Sequence, residues 1–190
     1  MPWPCSPSPP FSRDPEMKKR ILVWSLGIVL LVASAVMFEL VREKRQNGPI
    51  DQIACMAVEA APVAWLCEQI LFRSDFSQDQ ITELNQLAGA RFVTMLNDPD
   101  ASTTALERLL ELGMDINATD VRKDGWHMTA LHAAAIDGDI VQIKRLLAHG
   151  ADRTIRDDTG RNAADYAREI GAKHPDEKQW REIIDLLTQE

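Results

Sequence analysis

Cysteine is scarce in this 190-residue chain, with 3 in all, and a disulfide-dense scaffold is excluded at once. No Cys-x-x-Cys occurs, and none of the 4 histidines stands at a ligand interval from a cysteine, so no metal site is expected. Glycine is sparse, 9 residues scattered singly, with no phosphate-cradling loop. No apolar and polar alternation runs for four residues or more, which excludes a sheet-based fold. Residues 49–190 lack an excess of positive charge: 14 Lys and Arg face 25 Asp and Glu, a net −11. Nucleic acid and anionic lipid headgroups are repelled by such a surface, which leaves protein as the expected partner. No cofactor and no catalytic residue is expected. The length has room for one ordinary domain and a tail.

The N-terminal part differs. Residues 1–48 carry a net +3, and six of the ten prolines fall in residues 1–16 among serines, a composition that cannot build a core and reads as a disordered tail. Met17-Lys18-Lys19-Arg20 before an apolar run resembles a native start, with the preceding 16 residues an upstream extension. Ile21 to Phe38 contains no charge, only Ser25 and Ser34 being polar. An 18-residue helix spans about 27 Å, close to a bilayer core. Residues 17–38 therefore read as an uncleaved transmembrane anchor. A signal peptide cut after Ala33-Ser34-Ala35 and a buried core helix are the alternatives. Lys18, Lys19 and Arg20 before the segment equal Arg42, Lys44 and Arg45 after it, so the positive-inside rule is tied and the short n-region decides for export of the C-terminal part. In a bacterium that is a single-pass inner-membrane protein with a periplasmic domain, or, if cleaved, a soluble periplasmic one. The membrane is met through this segment alone, and 39–49 reads as a linker.

Residues 50–97 read as helices that cap the rest of the domain. Ile50–Glu59 and Val63–Phe72 have apolar residues at helical spacing, separated by Ala60-Ala61-Pro62 with the proline suited to a first turn. Cys55 and Cys67 lie 12 apart in this hairpin, where a disulfide in an oxidising compartment and two buried small hydrophobes are both open. Ser77-Gln78-Asp79-Gln80 has the form of a capping box that starts a helix through Ile81, Leu84, Leu87 and Phe92 toward Leu96, ended by Asn97-Asp98-Pro99-Asp100.

Beyond this the chain repeats itself. Leu109-Leu110-Glu111-Leu112-Gly113-Met114-Asp115 recurs as Leu146-Leu147-Ala148-His149-Gly150-Ala151-Asp152, 37 residues later, and Leu186-Leu187 is a fainter third copy. Self-similarity on this scale signals a solenoid of helical hairpins, each burying its apolar face on its neighbours. Thr129-Ala130-Leu131-His132-Ala133-Ala134-Ala135, Gly138, Leu146-Leu147 and Gly150-Ala151-Asp152 resemble the ankyrin repeat, with Ala130 where the family usually has proline. The strongest match runs over 126–158, with weaker copies on both sides across 98–190. The expectation is an all-α, short ankyrin-type solenoid of about three repeats, with N-terminal capping helices and one N-terminal transmembrane or signal helix. Three repeats are near the lower limit for independent stability, so the helices of 50–97 are needed.

The motif positions divide the physical work of a repeat among them. Thr129 caps a helix, Gly138 makes the turn between helices, Ile143, Leu146 and Leu147 form an apolar stripe, Gly150 ends the second helix, and Leu131 and Asp152 complete the repeat motif. The resemblance implies that His132 ties backbone groups within and between repeats rather than acting in catalysis. It also implies a non-catalytic scaffold that binds proteins on its concave face and hairpin tips. Asp98, Asp100, Asp115 and Asp120 lack the alternation of a calcium loop and read as caps and turns. Asn117-Ala118-Thr119 is formally a glycosylation acceptor but reads as a turn. The chain departs from the family in a longer hairpin between Asp120 and Thr129, which holds Arg122, Lys123, Trp126, His127 and Met128, the candidate partner-binding tip. A second insertion, Gly171–Gln179, falls between the helices of the last repeat, and Trp180 comes directly after it to cover the end of the stack. The rival functions are a redox or stress-protective factor using Cys55 and Cys67, and a periplasmic immunity-type inhibitor of a toxin.

Overall fold

The structure is a computed structural model that describes residues 15–46, 48–60, 62–94, 96, 98–124, 126–174 and 178–189. The disordered-tail expectation for 1–16 lies outside the described residues up to position 14, as does Cys5.

Helix α1, Pro15–Gln46, contains a 21-residue stretch, Lys19–Glu39, long and apolar enough to cross a membrane, with every residue of it exposed. Its two serines hydrogen-bond inside the helix, Ser25 Oγ to the Leu22 carbonyl at 2.9 Å and Ser34 Oγ to that of Leu31 at 2.8 Å, which removes the polarity that hydrocarbon would penalise. The helix does not stop at Phe38: residues 39–46 of the expected linker continue it, where helix formers predominate and Glu39 pairs with Arg42 at 3.2 Å.

The second compact unit, Lys44–Glu190, holds the remaining helices. Helices α2 (Pro49–Val58), α3 (Val63–Arg73) and α4 (Gln78–Gln86) form the cap. A disulfide joins Cys55 of α2 to Cys67 of α3 across a Cα separation of 6.1 Å. Ser77 and Gln80 make the reciprocal capping box of α4. The expected single helix from Ser77 toward Leu96 is instead α4, a turn, and the short α5 (Ala90–Val93). The cause is competition for one carbonyl: Gln86 O, which would hold the next helical turn, accepts the Val121 N–H at 3.0 Å. Ala88 then takes a left-handed φ of 52°, and Gly89 comes so close to Leu84 that an added Cβ would lie 2.5 Å from its Cγ.

Three helix pairs come after the cap: α5 with α6 (Pro99–Glu111), α7 (Ala130–Asp137) with α8 (Ile140–Ala148), and α9 (Ala163–Lys173) with α10 (Lys178–Thr188). Helices α5, α7 and α9 pack successively in one row, and α8 packs on α10 in the other. Side chains tie α8 to the preceding pair. Arg145 donates to Ser102 Oγ at 2.8 Å and to Thr103 Oγ1 at 3.1 Å, and Gln142 Nε2 to the Thr94 carbonyl at 2.7 Å. The core runs unbroken through these interfaces: Leu106, Leu109, Leu131, Ile143, Leu146 and Ile183 are all 0–1% exposed. Each contributes about 1.5–3 kcal/mol by burial, available only when its neighbour is in place. Among the described residues no strand occurs; pairing is limited to isolated bridges, Leu87 with Asp120 and Thr119 with Thr129.

The insertion from Gly171 to Gln179 does not begin as a loop, because Gly171–Lys173 prolong α9. Trp180, 6% exposed, folds inward over two glycines: an added Cβ would lie 3.1 Å from its ring at Gly138 and 3.0 Å from its Cβ at Gly171. Gly138 also sits at φ 70°. A Gly138→Ala change therefore meets two penalties, left-handed strain and the indole, and is expected to destabilise the domain by about 1–3 kcal/mol. The midpoint of the circular-dichroism melt of the full chain in mild detergent measures it; an unchanged midpoint contradicts this packing.

Candidate partner-binding surface

The loops between helix pairs form fingers, and a buried network fixes their bases. Thr129 is the N-cap of α7, its hydroxyl accepting from the His132 N–H. His132 is 1% exposed, and its Nδ1 accepts the Thr129 N–H at 3.2 Å while Nε2 lies 3.1 Å from the Arg161 carbonyl in the next repeat. The ring is therefore neutral with its proton on Nε2. Burial lowers its pKa below the ordinary 6.5, against the opposing pull of Arg161 O and Asp157.

Asp157 anchors the third finger. Burial by itself would raise its pKa, but hydrogen bonds from the Tyr166 hydroxyl, the Thr159 hydroxyl and the Arg161 and Thr159 amides outweigh it and hold the carboxyl at about 2. The Arg161 guanidinium stacks 4.3 Å above the Tyr166 ring. Asp120, the same position one repeat earlier, is 4% exposed and is occupied by Arg122, whose Nε donates at 2.9 Å. That hydrogen bond holds the Asp120 carboxyl below its usual range in spite of burial.

Asparagines bridge successive units on the other side of each loop. Asn85 Oδ1 accepts the Asp115 N–H at 2.9 Å, and Asn117 Oδ1 accepts that of Asp152 at 2.8 Å. Asn117 thus helps to hold the stack, and Asp152 in turn accepts from the Thr154 amide and hydroxyl. Gly150, at φ 88°, ends α8, with Leu147 half-buried against the core.

The long second finger closes by Asp120 N–H to Met128 O at 3.0 Å and His127 N–H to Asp120 O at 3.2 Å. Both its neighbours hold it. Val121 N–H reaches back to Gln86 O, and Trp126 O accepts the Asp158 N–H at 3.1 Å. The His127 ring lies 2.9 Å from the Asp158 carboxylate. Trp126 and His127 occupy left-handed backbone, φ 55° and 50°, a conformation that costs non-glycine residues about 1–3 kcal/mol each.

The five expected tip residues therefore divide. Trp126 projects, 53% exposed, and Lys123 is exposed with no ion pair among the described residues. Arg122 is not a free cation, because it is clamped on Asp120, and His127 serves the contact between fingers. Met128 is half-buried. Sequence reasoning missed Val121, 50% exposed beside this tip; its signal was an apolar residue directly before the charged run Arg122-Lys123-Asp124.

A stack of helical hairpins with interlocked fingers defines an α-solenoid. Residues 97–175 match the family model described as ankyrin repeats in three copies, and they are ankyrin repeats. A 69-residue stretch is 38% identical to the Espin-like protein of Homo sapiens, covering 36% of this chain and 6% of that protein, so the chain spans a small fraction of its relative's length. Ankyrin repeats are in general non-catalytic modules for binding protein, and a protein-interaction scaffold is what this part of the chain is.

The buried network makes stability pH-dependent. His132 has a folded-state pKa below 6.5, so its contribution is complete above pH 6.5 and is lost as pH falls through the lowered value. Asp157 adds a second loss, of about 2 kcal/mol, between pH 3.8 and about 2. Denaturant titrations across pH are expected to resolve both limbs. A His132→Gln variant should lack the upper one, and Tyr166→Phe should move the acid limb to higher pH. Superimposable profiles for wild type and both variants contradict the network.

Proposed function

We propose that the chain is a membrane-tethered, non-catalytic scaffold or inhibitor that grips a partner protein with the tip of its second finger. The observation that supports this is Trp126, an exposed aromatic held in strained backbone by hydrogen bonds to the neighbouring finger. A rigid aromatic anchor loses little entropy on binding, and Trp is a dominant residue at interface hot spots. Val121 and Lys123 extend the patch with apolar area and one positive charge on an acidic domain. A buried unit would not expose them.

Helix α1 supplies the tether, and the Cys55–Cys67 disulfide favours an oxidising compartment for the domain beyond it, hence the periplasmic side if the source is a bacterium. Both cysteines are buried, 6% and 0% exposed, and a reactive redox pair needs access and an activated thiolate. The redox alternative therefore has little support, whereas an immunity-type inhibitor is one form of the scaffold proposed. Affinity capture with the full chain, comparing wild type with Trp126→Ala, tests the proposal. The partner retained by wild type is expected to bind the variant at least about tenfold more weakly, equivalent to about 1.4 kcal/mol or more. Equal retention rejects this finger as the grip.

A further inference from the structure

The cap carries an apolar surface that neither the repeats nor the fingers use. The end of α2 and the first turn of α3 expose Val58, Val63 and Trp65 at 83, 39 and 59%. Trp65 of these lines an open cavity of about 370 Å³ between α2, α3 and the start of α6. Its apolar wall is Met56, Trp65 and Leu96, with alanines between them that leave room for inserted side chains. Its charged lining is Glu59, Glu68 and Asp98, and among the described residues no basic one contributes. Among the described residues Glu59 and Glu68 have no ion pair, and Asp98 spends Oδ1 on the N-terminal amides of α6, 2.9 Å from that of Asp100. The disulfide from Cys55 to Cys67 joins the two helices at the residues adjoining Met56 and Glu68, so the groove has fixed walls.

We propose that this groove binds a cationic amphipathic helix of a partner protein, its apolar face on Trp65 and Met56 and its Lys or Arg residues against Glu59, Glu68 and Asp98. A groove between helices offers no strand edge, so it suits a helix laid into it better than an extended peptide. The three carboxylates attract a basic segment, and among the described residues Glu59 and Glu68 have no ion pair that must break on binding, while Asp98 also caps α6. The same charges repel an anionic membrane surface, which sets protein above lipid as the occupant of an apolar patch. This site stands apart from the finger and does not depend on the role given to Trp126.

The test uses the full chain in nanodiscs of zwitterionic lipid and a fluorescein-labelled peptide of Lys and Leu at helical spacing, read by anisotropy above the signal of empty nanodiscs. A peptide with Glu in place of Lys is the control. The Lys peptide is expected to bind and the Glu peptide not to bind. Trp65→Ala and the double change Glu59→Gln/Glu68→Gln should each weaken binding about tenfold at low salt, and the loss in the double variant should shrink in about 0.5 M salt, where charges are screened beyond about 4 Å. Trp126→Ala should bind as wild type does, which separates this groove from the finger. Equal affinity of wild type and the Glu59→Gln/Glu68→Gln variant overturns the proposal, as does equal binding of the Glu peptide or binding fully accounted for by empty nanodiscs. Trp65 and Glu59 are exposed and Glu68 is half-buried, so the thermal melt should stay in place, and the charge variant carries the test if Trp65→Ala does not fold.

Discussion

A helix pair as short as α7 with α8 cannot bury its apolar stripe alone, and the bond between His132 and the Arg161 carbonyl shows how the chain answers that constraint. The hydrogen bond crosses from one repeat to the next and is sealed from water, so each unit satisfies a polar group that its neighbour cannot. Leu131, Ile143 and Leu146 are buried through the same interface. Hydrophobic and polar terms therefore depend on a single event, the docking of one hairpin on the next.

The fingers inherit their order from that stack. Main-chain bonds tie the second finger to the end of α4 through Gln86 and to the third finger through Asp158, and the outer residues of the second finger are what remains once those bonds are made. The strain at Trp126 and His127 persists because neighbours on both sides fix the backbone. Display of an aromatic at the tip is thus a consequence of stacking, and the energy holding it there is drawn from the core. At the other end of the domain the cap acts twice: it covers the first repeat, and the first turn of α3 carries Trp65 beside Glu59 and Glu68.

Much of this was legible in the residues. The Thr129 to Asp152 motif specifies caps, turns and apolar stripe locally, because each requirement there is met within a few positions of chain. Ser77 with Gln80, and Asp98 before Pro99, mark helix starts for the same reason. What escaped depends on distant partners. At the break after Gln86 its carbonyl is taken by Val121, far along the chain, and Gly89 is the one local mark of it. Arg122 reads as a cation for a partner until Asp120 is seen beneath it, and Asn117 reads as a turn residue until Asp152 donates to it. Pairing of Cys55 with Cys67 was open for a related cause, since spacing permits the bond without requiring it.

The central claim is that the fingers are rigid because the repeats are stacked, and amide hydrogen exchange measures this directly. The amides of Val121, His127 and Asp158, each bonded to another part of the finger array, should exchange on the same slow scale as those in the middle of α7. Exchange of these three at the rate of open loops, with α7 still protected, would contradict the account.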